Sequence, residues 1–290
     1  MSESRAVLRG GFRGGRQTLA TALAAAILVA LGLCMAFPAA AVPRVVSLDM
    51  CADQYVLGLM PADRIAAVSN TAAVPESYYA DRARSFARVR PTLESLLALH
   101  PDAVVRTWGG DAKLLQALQK HGISVITIND VTTFAQAKDE LLRVGHILGQ
   151  DVQAATEARS MMVSLGGVRP IGKDKTILYY TPSGYSAGPD TFIGAMLQTL
   201  GYQLETADHG FFYLSPEVLL STRPDVFALG FYDDAFQSRR APGRSALIRG
   251  YIAERPHLAL SGKMIACSGW YTAYDLEALS QSLPSQRGAA

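Results

Sequence analysis

The chain alternates short apolar runs with longer stretches whose apolar residues recur at helical spacing. Residues 44–48 (RVVSL) read as a buried strand, and Cys51–Met60 as a helix stopped by Pro61. Ile65–Val68 is a second short strand. Leu93–Leu99 is helical up to Pro101, and Ala103–Arg106 (AVVR) is a strand. Asp111–His121 is a helix closed by Gly122, and Ile123–Ile128 (ISVITI) is a strand of β-branched residues. Strands that alternate with helices in this way predict parallel pairing with helical crossovers.

From Thr133 to Leu165 strand signals vanish and the spacing is helical, with breaks near Gly145 and Gly149; residues 151–165 predict one unbroken helix. Alternation then resumes. Thr176–Tyr180 is a strand, Thr191–Leu200 a helix, Pro216–Ser221 a helix and Val226–Leu229 a strand. Lys263–Cys267 is predicted as the last strand and Tyr274–Leu283 as the last helix. The pattern describes an α/β protein with two Rossmann-like lobes, each built on a parallel sheet, joined by a long α-helix with a ligand cleft between them. The expected boundaries are residues 42–149 for the first lobe, 150–168 for the connecting helix and 169–290 for the second lobe. An internal echo points the same way. ESLLALHPDAVV (94–105) and EVLLSTRPDVFA (217–228) share Glu, Leu-Leu, Pro-Asp and an apolar strand at a constant offset of 123, from Glu94 to Glu217 and from Pro101 to Pro224.

The amino-terminal segment changes the charge picture. Arg5, Arg9, Arg13 and Arg16 precede an uncharged apolar run from Leu19 to Leu33, and Ala39–Ala40–Ala41 closes it. This is the arrangement of a secretory signal peptide over residues 1–41. Cys34 follows Leu33, where a lipoprotein signal wants a small residue. The chain has 27 basic and 25 acidic residues; the leader takes four arginines and Glu3, leaving 23 against 24, a net of −1. Nucleic acid is therefore not an implied partner. Cys51 and Cys267 remain, in a compartment where disulfides form. Both are expected near the cleft mouth, and whether they pair stays open in the sequence.

Candidate chemistry is sparse. Gly184–Tyr185–Ser186–Ala187–Gly188 fits G-x-S-x-G between a strand and a helix, and Asp225 or Asp233 followed by His257 completes a chain order for a triad. Pro182 and Pro189 lengthen that loop beyond a tight elbow, and no upstream segment reads as an oxyanion loop. The other reading is a glycine-rich loop presenting amides to a ligand. The five histidines (His100, His121, His146, His209 and His257) have no metal-binding spacing, so no metal or cofactor is expected. Aromatic residues are better placed. In open α/β sheets, ligands bind beyond the carboxyl ends of strands. Trp108, Tyr185, and Trp270 with Tyr271 follow predicted strand ends, while Phe211, Phe212 and Tyr213 precede the second Glu-Leu-Leu helix.

These segments, RVVSLDMCADQYVLGL, LESLLALHPDAVVRTWGG, GYSAGPDTFIGAMLQTLG, SPEVLLSTRPDVFAL and KMIACSGWYTAYDLEAL, taken in order, resemble the periplasmic solute-binding proteins of ABC importers for cobalamin, iron–siderophores and haem. The resemblance covers residues 44–283. It implies a rather rigid cleft and no catalysis. It also implies a small ligand (an iron chelate, haem or cobalamin), a periplasmic location and an inner-membrane ABC permease as partner; a monomer is expected. By resemblance Trp108, Tyr185, Phe212, Tyr213, Trp270 and Tyr271 line the cleft, and Glu94 and Glu217 dock on permease arginines. Helix chemistry alone also accounts for these two glutamates, because Thr92 and Ser215 read as N-caps and an acid suits the first turn. Arg106, Arg239 and Arg240 are candidate partners for ligand anions. A secreted serine hydrolase using Ser186 is the alternative.

Overall fold

The computed structural model describes residues 43–107, 111–232 and 240–282. The predicted leader, Trp108, Asp233 and Arg239 lie outside the described residues. Chain order begins with β1 (Val45–Ser47), α1 (Met50–Leu59), β2 (Ile65–Ser69), α2 (Ala80–Ala83), β3 (Arg88–Val89), α3 (Leu93–Leu97), β4 (Ala103–Arg106), α4 (Ala112–Lys120) and β5 (Ser124–Thr127). Two helices follow, α5 (Phe134–Ile147) and α6 (Asp151–Gly167). The second half holds β6 (Thr176–Tyr180), β7 (Tyr185–Ala187), α7 (Phe192–Thr199), β8 (Gln203–Leu204), β9 (Phe211–Tyr213), α8 (Pro216–Ser221) and β10 (Val226–Gly230). It ends with α9 (Ala246–Ala253), β11 (His257–Leu260), α10 (Gly262–Ile265) and α11 (Thr272–Ser282).

The first sheet has the order β3-β2-β1-β4-β5 and the second β11-β10-β6-β8, with every neighbouring pair parallel. The 17 residues of α6 separate the two in sequence. The offset of 123 survives in the backbone: Thr92 and Ser215 cap α3 and α8, accepting from Ser95 N at 3.3 Å and Val218 N at 3.3 Å. The Pro-Asp turns into β4 and β10 begin at Pro101, four residues after the end of α3, and at Pro224, three residues after the end of α8.

The strands of the first sheet divide their residues between two cores. Val45 and Val105 point to one side, and Val46 and Val104 to the other, where Leu96 and Leu118 cover them. The first of these cores does not stop at the lobe. It runs through Leu141, Val144 and Met161 of α5 and α6 to Ile177, Met196 and Leu276. The lobes therefore share one apolar interior through the helical segment, which makes their relative placement a packing property.

One predicted strand is corrected. Residues 263–267 are not a strand: α10 occupies Gly262–Ile265, and the last strand is His257–Leu260, in register with Phe227–Gly230. Residues 263–267 look strand-like because they are apolar, but Met264 and Cys267 are apolar for packing against the shared core beyond the sheet's edge. The G-x-S-x-G segment differs as well, since it forms β7 and pairs antiparallel with β9.

Candidate functional site

The carboxyl ends of the two sheets face one another across a cleft. About 590 Å³ of it lies between Cys51, Thr107 and Asp130 of the first lobe and Asp190, Phe211 and Cys267 of the second. A further cavity of about 500 Å³ sets Glu76 against Phe231, Tyr232 and Lys263. A third, of about 250 Å³, shares Glu76 and Phe231 with the second cavity and Ala266 with the first, so the three form one groove. This size and mixed lining suit a bulky organic ligand.

Two carboxylates fix the first lobe's side. Asp49 caps α1 through Ala52 N (2.9 Å) and also accepts from Thr107 N (2.8 Å) and Thr107 Oγ1 (3.0 Å), tying the β1–α1 turn to the end of β4. Glu140 of α5 accepts from Asn129 N (2.7 Å), Asn129 Nδ2 (3.0 Å) and Arg143 Nε (2.8 Å), which holds the cleft loop after β5. Burial acts to raise the Glu140 pKa, but hydrogen bonds from Arg143 and Asn129 outweigh it and hold the carboxyl below its ordinary value.

On the second lobe the two-stranded β7–β9 ribbon brings Phe211 to the cleft. Tyr185 pairs with Tyr213, their rings 5.9 Å apart and edge to face, and both are about half exposed. Phe211, two residues from Tyr213 and so on the same face, is 62% exposed and lines the cleft. Asp190 accepts from Gly210 N at 2.7 Å and meets His209 Nδ1 at 3.2 Å. The Gly210 amide above all, with His209, lowers the Asp190 pKa, so the rim beside Phe211 carries a fixed negative charge.

Between the walls, Cys51 at the start of α1 and Cys267 after α10 form a disulfide with Cα atoms 5.4 Å apart. The chain that follows turns away from the cleft. Trp270 is fully buried against Tyr55 of α1 (5.0 Å between centroids), and its Nε1 donates to Glu157 Oε2 of α6 at 3.1 Å. Tyr271 is also buried; it lies 4.5 Å from the Tyr78 ring and donates its hydroxyl to Cys267 O at 3.1 Å.

These placements correct three expected ligand contacts. Trp270 and Tyr271 belong to the seam between the lobes. The residues before them form no strand to carry them to a sheet end, and the disulfide pins Cys267 onto α1, directing the next residues inward. Phe212 is corrected by strand alternation: it points opposite to Phe211, onto the core around Tyr180 and Leu214. Period-two reading of Phe211–Tyr213 would have separated Phe211 from Phe212 in the sequence. Arg106 is half-buried at the end of β4, and Arg240 is exposed. Asp130, Asp190, Glu76 and Phe231 line the groove although no sequence pattern singled them out; being on loops, they carry no periodic signal.

Ser186 has no setting for nucleophilic catalysis. It is fully buried in β7, its hydroxyl donates to Tyr179 O at 2.7 Å, and no base contacts it among the described residues. Asp225 is committed to Thr176 N at 2.8 Å, and the His257 ring neighbours Arg255 O. Glu94 and Glu217 are exposed in the first turns of α3 and α8. The amide of Glu217 itself and the Ser215 hydroxyl lower the Glu217 pKa. No helix among the described residues is long and apolar enough to cross a membrane.

A family model described as periplasmic binding protein matches residues 45–230. A substrate-binding lipoprotein of an ABC transporter from Bacillus subtilis, itself uncharacterised, is 24% identical over 185 residues, 59% of this chain and 58% of that protein. A cobalamin-binding protein of Halobacterium salinarum is 25% identical over 201 residues, 66% of this chain and 54% of that protein. The chain thus matches little more than half the length of these curated relatives. Among solved structures, a periplasmic haem-binding protein of Vibrio cholerae superposes with a TM-score of 0.63 at 18% identity, over 82% of this chain and 97% of that one. A periplasmic haem-binding protein of Pseudomonas aeruginosa gives 0.61 at 18% identity, over 83% and 92%. At such identities the likeness concerns the fold.

Proposed function

Because this chain belongs to the periplasmic binding protein family, we propose that it is the solute-binding component of an ABC importer, capturing an iron chelate, haem or cobalamin and handing it to an inner-membrane permease. The observation that carries the reading is the groove itself. Two parallel sheets present their carboxyl ends to it, and its wall holds the exposed Phe211 ring but no assembled nucleophile and base among the described residues. Capture then needs no bond-making step, only stacking and exclusion of water.

In this reading residues 42–149 and 169–290 are the lobes and 150–168 their link. Phe211, Tyr185 and Tyr213 form the aromatic wall, and Arg106 at the end of β4 supplies a cation; Trp108, outside the described residues, keeps the ligand-stacking role the resemblance implies. Glu94 and Glu217 sit at equivalent places in the repeat, each in the first turn of a helix that runs back toward the amino end of its sheet. In this reading their carboxylates act as a matched pair that basic residues of a permease meet, one on each lobe. The chain works as a monomer in the periplasm after cleavage behind Ala41, and the mature protein starts at Val42.

The test is native mass spectrometry of the mature protein with cyanocobalamin, haemin and a ferric hydroxamate siderophore. One of these is retained at a 1:1 ratio. If none is retained by well-folded protein, the ligand reading fails.

A further inference from the structure

The disulfide joins the two lobes at the surface of the groove. Cys51 and Cys267 both line the groove, together with Ala266 and Ser268. Cys51 is partly exposed there. Among the described residues no other disulfide joins the lobes. A second set of contacts runs along the same face of α1, where Cys51, Tyr55 and Gly58 fall at helical spacing. Trp270 packs on Tyr55, Tyr271 packs on Tyr78, and Glu157 accepts from Trp270 Nε1 at 3.1 Å and from the Tyr274 hydroxyl at 3.0 Å. The lobes are thus joined by this aromatic seam as well as by the sulfur bridge, and the bridge sets the wall formed by residues 265–268.

We propose that Cys51–Cys267 is a redox latch in the ligand groove, opened by a dithiol without unfolding the protein. One thiolate of the dithiol attacks the more exposed Cys51 sulfur, forming a mixed disulfide and releasing Cys267 as a thiolate that takes up a proton. The second thiol of the reagent then closes on the first. This releases Cys51 as a thiolate at the amino end of α1, where the helix dipole favours it. Two electrons and two protons pass from the dithiol to the protein, and the reagent leaves as a cyclic disulfide. The opened wall loses its fixed position. A ligand lying on that wall shields the bridge, so occupancy and reduction oppose one another by the same factor. This last clause rests on the ligand-binding reading above; the opening of the latch does not.

The experiment treats folded, ligand-free protein with dithiothreitol, alkylates it with iodoacetamide and maps the labelled peptides. Both Cys51 and Cys267 become labelled in buffer while the long-wavelength indole bands of the near-ultraviolet circular dichroism, to which the buried Trp270 contributes, persist, and a Cys51→Ser, Cys267→Ser protein keeps the same indole bands, losing only the broad disulfide contribution. Cyanocobalamin and haemin serve as ligand probes. Whichever binds slows labelling, and its affinity falls about tenfold on reduction, within the usual range of coupling between sites. Labelling that appears only in denaturant, or loss of the indole bands in step with labelling, overturns the latch, as does a double variant that does not fold. If neither probe binds the oxidised protein, the ligand reading fails while the labelling still decides whether the bridge opens. If a probe binds equally to both forms, the bridge is no latch.

Discussion

Trp270 occupies the notch that Gly58 leaves on α1: a Cβ on Gly58 would lie 2.6 Å from Trp270 Cζ2. The indole is a seam residue, and its loss is a stability defect. Trp270→Ala should cost about 3–5 kcal/mol, as for other buried large-to-small changes. Gly58→Ala should cost about 1–3 kcal/mol by overpacking the same contact. Denaturant titration of both variants measures this. A Trp270→Ala protein of normal stability that has lost its ligand would return the side chain to the groove.

Phe211 and Phe212 are adjacent and point opposite ways, so truncating each should give a different defect. Phe211→Ala should lower ligand affinity by about 1–3 kcal/mol, the range for aromatic anchors, with little change in melting temperature. Phe212→Ala should destabilise by about 1–3 kcal/mol through lost packing and leave the affinity of the folded fraction intact. Calorimetry on both proteins separates the two, and exchanged phenotypes would mean that the strand register is misassigned.

Glu140 predicts a pH dependence. Its folded pKa is depressed, so its contribution is complete above the unfolded value of 4.5 and is lost as pH falls through the folded value. Glu140→Gln should cost about 1–3 kcal/mol at neutral pH, because Arg143 and Asn129 lose a charged acceptor. The difference between wild type and variant should shrink in acid. It should also extend to binding, since the Asn129–Thr132 loop lines the groove. A gap in stability that stays constant from pH 7 to pH 3 would contradict the assignment.

Glu94 and Glu217 separate delivery from capture. Both are exposed, so a Glu94→Arg, Glu217→Arg protein should fold and bind ligand normally. Placed against basic permease surfaces, the reversed charges should cost several kcal/mol of docking and abolish uptake. Normal uptake would leave the glutamates only their helix-end role, worth about 0.3–1 kcal/mol each.

The architecture was legible because it is periodic. Buried parallel strands such as 103–106 and 226–229 are continuous apolar runs, the helix from Asp151 has helical spacing throughout, and the repeat at offset 123 is visible letter by letter. The first-turn positions of Glu94 and Glu217 were legible for the same reason. The groove was less so, because loops such as 129–132 and the Asp190–Gly210 contact are built from single side chains and amides brought together over long separations. Trp270 misled for a definite reason. An apolar run after Gly262 looks the same whether it completes a sheet or wedges between two lobes, and only the partner Gly58, 212 residues earlier, distinguishes the cases.

The bridge between Cys51 and Cys267 closes a ring of main chain with a sequence separation of 216, containing most of both lobes and the helices between them. Closing a loop of that size removes about 5 kcal/mol of unfolded-state freedom in the chain-entropy treatment. It also means that a single proteolytic cut anywhere inside the ring leaves one covalent molecule, which falls into two fragments only when the sulfurs are reduced. For a polypeptide threaded across a membrane amino end first, Cys51 has to wait for nearly the whole sequence before its partner arrives. If cleavage behind Ala41 has by then removed Cys34, the waiting thiol has no third cysteine with which to pair wrongly.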